Sequence, residues 1–195
     1  MAGYEDLKPG VRENLPEVDD ISDADLRDRV VTAWAMALSE TEFKRIDEIR
    51  PSGNPDSPAL RSGSQADHLR GVARIALAMA DSLEGVLGSI GFDRDLLLAS
   101  ALCHDIGKPF EFSPANQKRW KTDPKASGFP AMRHPVYGAH IAISAGLPEA
   151  VCHAAGGHSG EGELVVRSLE NTIVHHADHA FWRILAAAGM LEDPE

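Results

Sequence analysis

The sequence predicts an all-α fold, and three observations carry that prediction. Apolar residues recur at helical spacing, as in Leu26, Val30, Trp34 and Leu38, each four positions after the last, which keeps them on one helix face. Alternation of β-branched residues, the mark of a half-buried strand, is almost absent. Residues that favour helix starts, Ser, Asp and Pro, head the periodic stretches.

The elements follow in chain order. Residues 1–21 are acidic and contain proline, so they read as an irregular arm. Ser22, with Asp23 and Asp25 behind it, looks like the start of the first helix, with acids suited to its first turn. Residues 41–49 form a second short helix through Phe43, Ile46 and Ile49. The stretch 51–63, PSGNPDSPALRSG, is a loop by composition. A helix over 65–87 puts His68, Val72, Ile75 and Met79 on one face. Asp93 caps another through Leu96, Leu97, Leu98, Ala101 and Leu102, ending near Gly107 with Lys108 and Pro109 beyond it. Residues 114–131 read as a long connection that covers something. Pro135 opens a helix to about Ser144, and Pro148 opens one that stops at Gly156-Gly157. A last helix over 164–188 carries Val174, Asp178, Phe181 and Leu185 in one stripe.

At 195 residues the chain is long enough to bury a core as one domain. Residues 22–63 would join 64–190 as a single structural unit. Apolar content of 43% and charged content of 25% are ordinary for a soluble globular protein. The net charge of -11 argues against a nucleic-acid polymer as partner, which needs clustered Lys and Arg. It leaves room for a small phosphorylated substrate, because a bound cation reverses the local field. Cys103 and Cys152 sit in apolar stretches and read as small buried thiols. The chain has no 18-residue apolar run and no signal-like start, so a cytoplasmic protein without membrane contact is expected. A homodimer rests on the base rate of symmetric assemblies alone.

The chemistry lies in scattered His and Asp residues. Asp178 falls on an apolar helix face, where a carboxylate needs a cationic partner, either an arginine or a metal. His68 shares a stripe with Val72 and Ile75, as a packed histidine or a ligand. His104 and Asp105 are adjacent at a helix end. His134 precedes Pro135, and His158 follows two glycines. Imidazoles and carboxylates suit Fe, Mn, Zn or Ni, and six such residues could hold two adjacent cations that activate water. The rivals are His153 for the place of His158, and His175 with His179 as an i,i+4 pair. His140 reads as a surface or packed residue. Trp34, Trp120 and Trp182 read as core or lid residues.

HDIGK at residues 104–108, HPVYGA from His134, the pair Ala177-Asp178, and a His nine residues beyond the LPE string at 147–149 together resemble the HD-domain superfamily of metal-dependent phosphohydrolases. The resemblance covers roughly residues 65–185. It implies a helical bundle, here with a short N-terminal helical extension. It further implies one metal on His68, His104, Asp105 and Asp178, with Asp105 bridging to a second on His134 and His158. Fe or Mn are the ions it suggests first, with Zn, Ni, Co or Mg as others. Asp105 would serve catalysis as the bridge, and Lys108 would contact a phosphate, although a Lys after a helix is also a routine cap. Arg133, beside His134, is a second candidate for binding an anion, or a solvated surface residue. The function implied is hydrolysis of a small phosphate ester or nucleotide-like substrate. Alternatives are a mixed-valent di-iron oxygenase cleaving a C–C or C–P bond and a non-catalytic signalling module. After His158 the chain reads SGEGE, without a Gly-Tyr-Pro string, so it does not resemble the cyclic-di-GMP-specific subgroup.

Overall fold

Local capping sets where most of the helices begin. In the computed structural model, which describes residues 3–193, Asp23 accepts from the backbone N–H groups of Asp25 and Leu26 at the head of α2 (Ala24–Ser39). Ser64 and Asp67 form a reciprocal capping box on α3 (Gln65–Leu87). Asp93 caps α4 (Arg94–Cys103) through the Leu96 N–H at 2.9 Å. Each such bond satisfies a donor that the first turn leaves orphaned.

The helix α4 is the centre of the bundle. Every residue from Leu97 to Cys103 is buried, the pattern of a helix enclosed on all sides. It packs against α2, α3, α9 (Glu149–Gly157) and α10 (Leu169–Ala187), while α3 lies along α10 and α8 (His134–Ser144) along α9. Trp34 is fully buried and donates its indole N–H to the Leu102 carbonyl at 2.9 Å. Trp120 is buried beside Phe110. Cys103 and Cys152 are free and buried. The all-α class holds among the described residues, where the only β pairing is two isolated bridges, Ser52 with Ala59 and Leu60 with Leu191. No helix among these residues is long and apolar enough to cross a membrane.

Several boundaries differ from expectation. Residues 1 and 2 lie outside the described residues, but the rest of the expected irregular arm is ordered as α1 (Lys8–Asn14) flanked by 3-10 turns at Tyr4–Leu7 and Pro16–Asp20. Val11, Leu15, Val18 and Ile21 enter the core. Pro9 and Pro16 stand in first turns, where a missing N–H breaks no helical bond. Glu17 then ties this segment to α3 by ion pairs to Arg70 at 3.0 Å and Arg74 at 2.7 Å.

The helix expected at 41–49 shrinks to a 3-10 turn at Ile46–Glu48. There the Asn14 side chain accepts from Ile46 N–H at 2.9 Å and donates to Asp47 at 2.8 Å, so tertiary bonds replace helical ones. The long connection at 114–131 holds α6 (Pro114–Thr122) and α7 (Pro124–Ser127), capped by Ser113 and Asp123. The last helix starts at Leu169 rather than 164, behind a 3-10 turn at Gly160–Leu164.

One boundary shapes the site. Helix α4 ends at Cys103, and Lys108 opens a new helix, α5 (Lys108–Phe112), with Pro109 in its first turn. Lys108 is therefore 1% exposed and not a solvated cap. The turn between the two helices is pressed against α8. A Cβ on Gly107 would collide with the His134 carbonyl and stand 2.6 Å from the Gly138 nitrogen.

Candidate metal centre

The fold brings all six expected ligand residues into one buried cluster. His68 comes from the second turn of α3, His104 and Asp105 from the turn after α4, His134 from the start of α8, His158 from the end of α9, and Asp178 from the middle of α10. Asp105 stands between two groups. Its Oδ2 is 3.1 Å from His68 Nε2 and 3.4 Å from His104 Nε2. Its Oδ1 is 3.3 Å from His134 Nε2 and 3.6 Å from His158 Nε2. Asp178 Oδ1 closes the first group, 3.4 Å from His68 Nε2 and 3.9 Å from His104 Nε2.

Hydrogen bonds at the far side of three rings decide what the near side offers. Nδ1 of His104 faces the Ala101 carbonyl at 2.7 Å, and Nδ1 of His158 faces the Ala154 and Ala155 carbonyls at 3.2 Å. Nδ1 of His134 faces the Glu111 carboxylate. These oxygens only accept, so each Nδ1 carries the proton and each Nε2 of a neutral ring presents a lone pair inward. The Nε2 atoms of these three rings and the carboxylates of Asp105 and Asp178 thus converge on one cluster. His68 Nε2 and His104 Nε2 are 3.2 Å apart. Asp178 Oδ1 is buried without a hydrogen-bond partner.

A cation satisfies this arrangement. Donor atoms held about 2.1 Å from one ion lie about 3.0–3.4 Å apart, from octahedral to tetrahedral geometry, close to the separations around Asp105. The residue types fit the same ions, and groups able to hold a metal form around His68, His104 and Asp178 and around His104, Asp105 and His158.

The electrostatics favour that use. Burial opposes ionisation of Asp105, but the Lys108 ammonium and the neighbouring imidazoles outweigh it and hold the carboxyl well below its ordinary value. Burial, aided by His104, pushes His158 down to about 3, which keeps the ring neutral and able to ligate. Burial also lowers His68, whereas at His104 burial is outweighed by the Asp105 and Asp178 carboxylates, which raise it.

Further residues hold these groups. Lys108 Nζ donates to the Ser52 carbonyl at 2.6 Å, contacts Asp105 Oδ2 at 2.8 Å and lies 3.4 Å from Gln65 Oε1. Gln65 Nε2 donates to Asp105 Oδ2 at 2.8 Å. His175 Nδ1 donates to the His158 carbonyl at 2.6 Å. Trp182 stacks on the His68 ring with centroids 4.8 Å apart, so it belongs to the site wall.

Above the cluster opens a cavity of about 320 Å³, floored by Asp105, His134, His158 and Asp178 and walled by residues that include Asn54, Arg133, Ser159, His179, Trp182 and Arg183. Arg133 Nε lies 3.3 Å from Glu161 and 3.9 Å from Glu111. Arg183 is exposed and has no ion pair among the described residues.

The rival histidines fall elsewhere. His153 accepts from the Ser168 N–H at 3.3 Å, away from the cluster. His140 is exposed beside Tyr137. The rings of His175 and His179 lie tilted with centroids 4.3 Å apart, but among the described residues no third ligand joins them.

Sequence reasoning missed Gln65, Glu111 and Arg183. Arg183 had a usable signal, since it follows Asp178 by five positions and is reached from the same helix. Glu111 and Gln65 carried none, because their partners lie 23 and 40 residues away.

The family model described as HD domain matches residues 66–180. The dihydroneopterin 2',3'-cyclic phosphate phosphodiesterase of Methanocaldococcus jannaschii is 46% identical over 50 residues, which is 26% of this chain and 20% of that protein. The chain thus matches about a fifth of that relative's length. No solved structure matches the chain significantly.

Proposed function

The chain belongs to the HD-domain family, and from that premise we propose that it is a binuclear metal-dependent phosphohydrolase acting on a small phosphate ester or nucleotide-like compound. The observation that carries the reading is the double face of Asp105, whose two oxygens each meet a separate pair of imidazole nitrogens. His68, His104, Asp105 and Asp178 would hold one ion, and Asp105, His134 and His158 the other, with Fe or Mn as the first candidates. When bound, such ions supply Lewis acidity that activates water near neutral pH and offsets charge on a phosphoryl oxygen.

The protein's own side chains do the rest. Lys108 and Gln65 grip Oδ2 of Asp105 and fix the carboxylate across both halves of the cluster. The three polar neighbours of Lys108 occupy its ammonium, so we assign its main role to holding Asp105. Arg133 and Arg183, at the cavity wall, are then the groups that would bind and orient the phosphate, since a guanidinium matches its oxygens two at a time. The buried floor limits the water that reaches the reacting bond. Hydrolysis replaces one ester oxygen on phosphorus by the oxygen of water, and the leaving alcohol takes up a proton.

A cavity of about 320 Å³ stands at the small end of ligand sites, which run about 300–1,000 Å³, and supports a small substrate over a polymer. The name of the archaeal relative supports adding cyclic phosphodiesters to the candidates. The test is a panel of phosphomonoesters, cyclic and linear phosphodiesters and nucleotides, assayed with Mn²⁺ or Fe²⁺ and without O₂. Release of phosphate or of a ring-opened monoester supports the reading. An inert metal-loaded protein across the panel sinks it.

A further inference from the structure

The partner of His134 differs in kind from those of the other ligand candidates. His104 and His158 donate Nδ1–H to backbone carbonyls, which are neutral. His134 faces a carboxylate, Glu111, which is 1% exposed and comes from α5. One oxygen, Oε2, accepts the His134 backbone N–H at 2.8 Å and also meets its Nδ1. The backbone and ring of His134 are thus held by a single atom, which fixes the ring's direction and its tautomer together. The turn at Gly107 brings α5 and α8 close enough for this contact.

Charge around the two halves is unequal. The first half has the carboxylates of Asp178 and Asp105. The second has two imidazoles and the remaining oxygen of Asp105, whose charge is shared with Lys108. Glu111 is the additional buried anion on that side. Its other oxygen faces Arg133 Nε at 3.9 Å and has no hydrogen bond. A carboxylate behind a ligand histidine raises the basicity of the ring and sets its orientation.

Resting on the binuclear reading above, we propose that Glu111 is a positioning residue that acts through His134 and sets the affinity of the second cation, leaving the first nearly independent of it. Removing such a partner typically weakens metal binding about 10–100-fold. The loss should be selective, because Glu111 touches none of His68, His104 or Asp178.

The test titrates metal-free full-length protein with Mn²⁺ alone and counts bound ions by electron paramagnetic resonance and calorimetry. Wild type should bind two per chain. Glu111→Ala should keep the tighter site and weaken the other about 10–100-fold. Glu111→Gln keeps an oxygen acceptor but no charge, so it should fall between the two, and it carries the test if Glu111→Ala does not fold. Two Mn²⁺ bound by both variants with wild-type affinity, or equal weakening of both sites, overturns the proposal. Wild type that binds no second ion overturns the binuclear reading and this inference with it.

Discussion

Replacing Asp105 by Asn keeps the shape of the side chain and removes its charge. The amide has one oxygen, whereas both carboxylate oxygens meet imidazole nitrogens at 3.1–3.6 Å. One half of the cluster must therefore face an NH₂ group, which cannot ligate. With free Mn²⁺ at 100 times its Kd, each bound ion should stabilise the native state by about 2.7 kcal/mol. For a chain of this size that is about 5–11 °C in Tm per ion, at about 2–4 °C per kcal/mol. The variant should lose at least half of the wild-type rise. A second effect appears in chelator, where Lys108, buried at 1% exposure, loses its carboxylate partner. Breaking a buried pair costs about 3–5 kcal/mol, and the oxygen kept by Asn points to the lower end. Thermal unfolding followed by circular dichroism, with and without Mn²⁺, reads both effects. An unchanged Mn²⁺-induced rise in Asp105→Asn would refute the bridging role. Apo protein as stable as wild type would refute the assigned role of Lys108.

Other outcomes follow from the same contacts. Gly107→Ala places a methyl group against the His134 carbonyl and the Gly138 nitrogen, so it should destabilise the fold by about 1–3 kcal/mol or more and weaken the second Mn²⁺ site; urea unfolding and Mn²⁺ titration check this. Arg183→Gln should lower affinity for phosphate or a phosphate ester by calorimetry while metal content stays at the wild-type level. Burial opposes ionisation of Glu17, but its hydrogen bonds, including those from Arg70 and Arg74, outweigh it and keep its pKa below the ordinary 4.5. Its contribution should be complete above that value and fade as pH falls through the lower folded pKa. The stability gap between wild type and Glu17→Gln should therefore narrow from pH 7 to pH 3 in urea titrations; a gap that widens on acidification would contradict this sign.

The sequence by itself determined the helical class and the identity of the six residues that converge. Helical period and capping are local properties, and a His or Asp on an apolar face announces an unmet electrostatic need before any contact is known. It missed the helix within residues 3–21 and the one that Lys108 opens because Pro9, Pro16 and Pro109 are ambiguous in one dimension. A proline ends one helix and starts the next with equal local comfort, and the choice falls to the burial of Val11, Leu15 and the Lys108 stem. Asn14 likewise took over the bonds that would have made residues 41–49 a helix. Only the tertiary structure decided that Asp105 faces two groups of rings, that Glu111 stands behind His134, and that Lys108 is already occupied. Those facts depend on which helices touch, and contact between residues tens of positions apart leaves no periodic trace along the chain.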